Sequence, residues 1–322
     1  MTLAGILAIL VQFAVVATIY AIFSLALNVH WGYSGLFNIG VAGFFAVGAY
    51  TSALVTMSPA TGEQAQYINQ VVALGQPFVV GLLAAGLMAG IVAFLIGFPT
   101  LRLRDDYLAI STIGIAETIR LIFNTERWLA NGARGLVGIP QPLQGLVPPA
   151  RYNWIYLAIV VVVLILVYIA IERGIRSPWG RVLRAIREDE VVAEAMGKDV
   201  FWFKMQAFVV GAVVMGIGGA LYAHFTRAID PTVFEPLFGT FLVWVMLILG
   251  GSGNNRGAIL GAFIVWGIWS GTNVMVRRMV PVEYMAQAPY IRLMLIGLLL
   301  ILILLLRPQG ILGEEKEVSR LQ

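Results

Sequence analysis

Two ionisable residues inside one apolar stretch carry the clearest chemical signal in this sequence. Glu117 and Arg120 lie within Tyr107 to Asn124, YLAISTIGIAETIRLIFN, and their spacing puts both on one face of a helix. Charges in an apolar segment of membrane length are expensive and face a bundle interior, where they pair or line a pathway. Two readings follow: a structural ion pair near the membrane edge, or a part in a gate. Asn38 stands in a second apolar run, Gly35 to Met57, among Gly35, Gly40, Gly43 and Gly48. Here the readings are close helix packing through small residues and a broken or re-entrant helix whose freed backbone groups line a substrate cavity. The two are compatible.

Bond-making chemistry finds no residues. Cysteine is absent, which excludes disulfides, thiol catalysis and cysteine metal sites. His30 and His224 are far apart, lack metal-type spacing and read as core or interfacial side chains. A phosphate-binding loop needs a Lys between Gly and Ser or Thr; Lys198 follows Gly197 but precedes Asp199, and Lys204 and Lys316 have no such setting. There is no H-E-x-x-H, no G-x-S-x-G and no carboxylate cluster for a metal. No cofactor or metal is therefore expected in this chain, and a membrane enzyme is disfavoured. If the chain moves a solute, the energy comes from an ion gradient or from a partner ATPase.

The elements that must position these residues are membrane spans. With 60% hydrophobic and 12% charged residues in 322, the chain has more apolar surface than a soluble domain could bury. The expected fold is all-α, a polytopic transmembrane helical bundle forming a single domain over residues 1–322, with about nine spans in a range of about eight to ten. The pI near 9.4 reflects loop topology, with no nucleic-acid partner implied. Met1 to Leu27 has no charged leader and is expected as a retained first span. Other spans are expected at Pro77 to Phe98, Tyr152 to Ile171, Lys204 to Phe225, Pro236 to Gly251, Gly257 to Met275 and Tyr290 to Leu306. The Gly- and Pro-rich loop Thr125 to Arg151 is expected on the outer side.

The polar stretch 172–203 fixes the orientation. It and its exit carry Arg173, Arg176, Arg181, Arg184, Arg187, Lys198 and Lys204, which keep a short loop in the cytoplasm. Alternation then puts the N-terminus outside and the tail 307–322 inside, and leaves Arg277 and Arg278 outside against the rule. Arg184 to Met196 reads as one short amphipathic helix stopped by Gly197. Such a helix on the cytoplasmic face is a docking surface for a soluble partner.

Five motifs in order make the chain resemble the permease subunits of branched-chain amino-acid ATP-binding-cassette (ABC) importers. They are Gly48-Ala-Tyr50; Arg102-Leu-Arg-Asp-Asp-Tyr-Leu-Ala-Ile110 with Glu117 and Ile119-Arg120; Gly180-Arg-Val-Leu-Arg-Ala-Ile-Arg-Glu188 with Gly197; Gly250-Gly-Ser-Gly253; and Arg307-Pro-Gln-Gly310. The resemblance covers nearly the whole chain. It implies a multi-pass protein of the cell inner membrane, paired with a second homologous permease, two cytoplasmic ATP-binding subunits and an extracytoplasmic amino-acid-binding protein. ATP and Mg would sit on those partners, and transport would run by alternating access. Glu188, Asp189, Glu190, Glu194, Ala195 and Gly197 would form the coupling contact with the ATPase. Asn38, Gly40, Gly43, Tyr50, Glu117 and Arg120 would line the substrate pathway. Urea importers use similar permeases, and an ion-gradient-driven transporter, with Glu117 as its proton carrier, is the reading from another class.

Overall fold

The computed structural model describes residues 3–59, 71–145, 147–279, 288–307 and 309–314. Most of the loop expected around Glu63 and the tail beyond Glu314 lie outside the described residues, as do the side chains of Arg277 and Arg278.

The apolar runs form helices. The first, α1 (Leu3–Asn28), continues into a π-helical turn, Val29–Tyr33; residues 34–40 are not helical, and α2 covers Val41–Thr56. There follow α3 (Phe78–Thr100), α4 (Asp105–Thr125), α5 (Arg127–Ala130) and α6 (Pro149–Arg176). The polar segment forms α7 (Pro178–Glu188) and α8 (Glu190–Ala195), and α9 spans Val200–Thr226. A second π-helical turn, Leu237–Phe241, leads into α10 (Leu242–Gly250), and α11 (Asn255–Met279) and α12 (Ala288–Leu306) complete the bundle. The sheet content among the described residues is one antiparallel pair, β1 (Leu136–Val137) with β2 (Ala228–Ile229).

The all-α bundle is as expected, whereas the number of clear spans is smaller. Among the described residues, five helical segments are long and apolar enough to cross a membrane: Gly5–Tyr33, Phe78–Thr100, Asp106–Thr125, Arg151–Arg176 and Val200–Thr226. Val41–Thr56, Leu237–Gly250 and Met294–Leu306 are apolar but shorter. The expected span from Gly35 loses its first turns because residues 34–40 leave the helix, and the 16 residues of α2 reach only about 24 Å against a hydrocarbon core of about 30 Å.

Loops gather at two opposite ends, as alternation along the chain requires. At one end Val71 N–H donates to Leu129 O (3.1 Å), β1 pairs with β2, and His224 Nδ1 bonds Pro140 O (2.6 Å). The Gly- and Pro-rich loop after α4 is structured and packs on the loop after α9. At the other end Arg102 lies over the rings of Phe98 and Phe201, at 4.9 and 5.5 Å. There Asn255 Nδ2 donates to Glu172 Oε2 (2.8 Å), and the tail returns to α10, with Ile311 N–H on Leu249 O and Leu312 N–H on Gly250 O, both 2.9 Å. Those two bonds satisfy carbonyls that a helix end otherwise leaves open.

The centre is held by small residues. A Cβ on Gly48 of α2 would stand 2.2 Å from Gly216 O of α9, and one on Gly216 would stand 2.5 Å from Ala89 Cβ of α3. Gly261 of α11 meets Met246 O of α10 in the same way, at 1.9 Å. Backbones this close give dispersion contact that larger side chains would forbid, and lipid supplies no competing hydrophobic drive for helix association. Gly48→Ala should therefore lower the thermal midpoint of the purified protein by several degrees, the size expected for about 1–3 kcal/mol of overpacking. Gly271→Ala, where a Cβ meets nothing within 4 Å, should leave the midpoint unchanged or raise it; equal midpoints for the two variants would contradict this packing account.

Candidate translocation seam and coupling hairpin

The break between α1 and α2 leaves backbone groups with no helical partner in an apolar bundle, and side chains from three other elements meet them. Ile39 N–H donates to Thr112 Oγ1 of α4 (3.0 Å), and Ala42 N–H to Thr240 Oγ1 of the second π turn (3.1 Å). Gly40 N–H donates to Asn38 Oδ1 (2.7 Å), and Asn38 O accepts from Trp244 Nε1 of α10 (3.1 Å). The Asn38 amide is fixed in turn by His30. Phe208 O, 2.9 Å from His30 Nε2, can only accept, so Nε2 carries the proton and Nδ1 accepts from Asn38 Nδ2 at 3.0 Å. His30, Asn38 and Phe208 are all fully buried. Both histidines are structural in this sense, His224 bonding Ser52 Oγ (2.9 Å) besides Pro140.

Of the six residues expected along the pathway, Gly40, Gly43 and Tyr50 lie against α4, Glu117 and Arg120 stand on α4 itself, and Asn38 bonds His30 and Trp244 instead. Gly40 sits where a Cβ would lie 2.8 Å from Thr112 O, and Gly43 where it would lie 3.0 Å from Ala116 Cα. One turn further along, Glu117 and Arg120 form the expected ion pair on α4, with Arg120 Nε to Glu117 Oε2 at 2.9 Å and Nη2 to Oε1 at 2.5 Å. Tyr50 then stacks on Phe123, ring centres 4.0 Å apart and nearly parallel, and its buried hydroxyl has no hydrogen-bond partner among the described residues. The seam is closed: the void lined by Gly40, Gly43, Thr112, Ile119 and Phe208 measures about 10 Å³, the room of one water. The ion pair is less enclosed, with Glu117 at 36% and Arg120 at 19% side-chain exposure. A far larger cavity, about 730 Å³, opens at the opposite end of the bundle from the coupling segment, between Thr56, Gln76, Phe78, Gln141, Ile159 and His224.

The expected single helix from Arg184 to Met196 is two helices. Pro178 sets the first turn of α7, where its missing N–H costs nothing. Asp189 breaks the run with an extended backbone (φ −158°) because its Oδ1 accepts from Val192 N–H at 3.0 Å, capping α8. Glu188 thus ends α7, Asp189 is the cap, Glu190, Glu194 and Ala195 lie on α8, and Gly197 stops it in the left-handed region (φ +76°) as expected. Glu190 is tied to the buried Lys204 of α9 by an ion pair. Val191 of α8 and Met196, which follows it, are each 76% exposed, apolar side chains left in the open at the polar end of the bundle.

A family model described as branched-chain amino acid transport system, permease component, matches residues 9–304. The chain belongs to that family. The permease is 32% identical over 335 residues to the high-affinity branched-chain amino acid transport permease LivM of Escherichia coli (strain K12), covering 97% of this chain and 72% of that one. It is 31% identical to the probable LivM of Methanocaldococcus jannaschii, covering 94% of this chain and 92% of that one. A weaker similarity, 24% over 80% of this chain and 81% of the other, is to the guanosine ABC transporter permease NupQ of Bacillus subtilis (strain 168). No solved structure matches.

Several residues of the permease's seam and junction escape a sequence reading. Thr112, Thr240 and Trp244 hold the break from 73 to 206 positions away, so nothing local announces them. Arg187 and Glu314 meet across 127 positions. The Asp189 cap had a local signal, an acid just ahead of Glu190-Val-Val. Asn38→Ala would strand Gly40 N–H and the buried His30 Nδ1, each worth about 1–3 kcal/mol when unsatisfied. Its thermal midpoint should fall by more than that of Ser58→Ala, an exposed change that touches no such bond; an unchanged midpoint would show that the break does not depend on Asn38.

Proposed function

We propose that this permease forms half of the translocation pathway of an ABC importer for branched-chain or other neutral amino acids, working by alternating access driven by partner ATPases. The observation that carries the coupling is α8: a capped, short helix that holds Val191 and Met196 in water has its apolar side chains available for a soluble partner. Glu188, Asp189, Glu190, Glu194, Ala195 and Gly197 form the rim of that contact. The partners are a second homologous permease, two cytoplasmic ATP-binding subunits, which hold ATP and Mg, and an extracytoplasmic amino-acid-binding protein. The permease itself makes and breaks no bond.

The pathway follows the seam of α2 and α4. A half-open ion pair in a membrane-length helix is costly against hydrocarbon and cheap against water or a partner, which favours the Glu117 and Arg120 face as pathway lining. Beside it the unpartnered Tyr50 hydroxyl, the apolar Phe123 and the small Gly40 and Gly43 suit a zwitterion with an aliphatic side chain. The permease lies in the cell inner membrane as one domain of about nine spans, with its N-terminus outside and the coupling segment and tail in the cytoplasm. The basic residues of 172–203 support that direction.

Cells lacking only this chain should lose uptake of radiolabelled leucine and regain it on complementation, with unlabelled isoleucine and valine suppressing the signal and urea or guanosine leaving it unchanged. Leucine uptake that is indifferent to the chain, with labelled urea or guanosine uptake lost instead, would reassign the substrate. Val191→Asp with Met196→Asp alters two side chains that touch water in this chain, so insertion and thermal midpoint should hold while the ATPase subunits no longer copurify. Full retention of those subunits would remove α8 from the coupling contact.

A further inference from the structure

The last turn of α7 holds a side chain that reaches three separate parts of the permease. Arg187 Nη1 donates to Gly32 O in the π turn that ends α1. Its Nη2 donates to both oxygens of Glu314, at 3.1 and 2.9 Å, and to Glu188 Oε1 at 2.8 Å. The stem of the same side chain lies against Gly35, with Cγ 3.2 Å from where a Cβ would stand, at a backbone position (φ +72°) that favours glycine. Burial disfavours the Arg187 charge, but the Glu188 and Glu314 carboxylates outweigh it and hold the guanidinium above the ordinary arginine value.

Glu314 is itself fixed. The tail before it is bonded to α10 through Ile311 and Leu312, and its carboxyl packs on Gly253, whose N–H donates to Asn28 Oδ1 at 2.8 Å. Asn28 Nδ2 donates on to Asn255 Oδ1 at 3.0 Å, and Asn255 to Glu172. Arg187 therefore grips a platform made of the end of α1, the turn after α10 and the tail. The backbone break begins two residues beyond Gly32, and Asn38 lies six beyond it.

We infer that Arg187 is the positioning residue that makes α7 and α8 move as one body with the helix break at residues 34–40, with Glu314 as the fixed anchor that holds it there. A planar guanidinium can serve a carbonyl and a carboxylate at once, which a lysine ammonium cannot match in geometry. A push on α8 also reaches α9 through the Glu190 and Lys204 ion pair and through the chain turns at Ser177 and Lys198. Through Arg187 it reaches Gly32 directly, and from there Asn38 and the bonds from the break to α4 and α10. This role rests on the ABC reading above and goes beyond it, since it assigns transmission to residues that touch neither ATPase nor solute.

The test uses the complete complex, purified with its cognate subunits and reconstituted in liposomes. Arg187→Ala and Glu314→Gln should keep the ATPase subunits bound and their unstimulated hydrolysis within about twofold of wild type. Leucine uptake, and the stimulation of hydrolysis by leucine-loaded binding protein, should fall about tenfold, and the double variant should be no worse than Arg187→Ala alone, as for two residues acting through one contact. Glu314→Gln changes charge without volume and keeps the test open should Arg187→Ala fail to insert. Uptake per assembled complex within twofold of wild type in either variant would overturn the inference. So would loss of the ATPase subunits or of unstimulated hydrolysis in step with uptake, which would make the contact structural. A wild-type complex with no ATP-dependent uptake would overturn the ABC reading itself, and this inference with it.

Discussion

The constraint on which this structure depends is that backbone N–H and C=O groups in an apolar bundle must find partners inside the protein. The stretch 34–40 gives up its helical bonds where α1 passes into α2, and an unsatisfied group there costs about 1–3 kcal/mol even by the mild measure of mutational data. Thr112, Thr240, Trp244 and the His30 and Asn38 pair answer it one group at a time. Each answer comes from a different element, so the break fixes where α4, α9, α10 and the second π turn stand relative to α1 and α2. A helix through the same residues would have needed none of them.

The glycines serve the same end by another route. Where α2, α3 and α9 meet, Gly48 and Gly216 bring backbones into contact, and the side chains that reach the break then need only modest length. The turn after α10 repeats the solution in miniature. Gly251 and Gly253 adopt positive φ, the first within reach of Leu312 O and the second against Glu314, so the returning tail can bond the last carbonyls of α10. Two otherwise separate ends of the chain, the tail and the start of α11, are thereby fastened to the end of α1.

What the sequence reveals divides along the same line. The all-α bundle, the glycine-rich break near Asn38, the Glu117 and Arg120 pair and the stop at Gly197 all rest on patterns within a few residues, where helix period and glycine conformation speak directly. The break and close packing were two compatible readings, and both are present: Ile39 and Ala42 find partners outside the helix, while Gly43 and Gly48 pack closely on α4 and α9. The division of the coupling segment at Asp189 hung on a single cap hydrogen bond competing with a continuous amphipathic pattern, and the cap prevailed. The β1 and β2 pairing and the grip of Arg187 on Glu314 join residues some 90 and 127 positions apart, and no period or local spacing encodes such meetings.

The Glu117 and Arg120 pair is the part of the seam that this chain leaves least covered. Each charge satisfies the other at 2.5–2.9 Å, so the pair is stable as a unit, yet neither is enclosed by this chain. Around it α4 exposes Ile110, Ile113 and Leu121, which lipid accepts, whereas a carboxylate and a guanidinium in contact with acyl chains would each carry a desolvation cost of several kcal/mol. On the proposed function, a second permease across the face of α4 would resolve the conflict. It would cover the aliphatic side chains and leave the charged turn on a water-accessible line between the two subunits. On the proposed alternating-access reading the seam, with room for one water, would be one end of a cycle, and passage of a solute along it would require α4 to part from the break and the hydrogen bond from Ile39 to Thr112 to open.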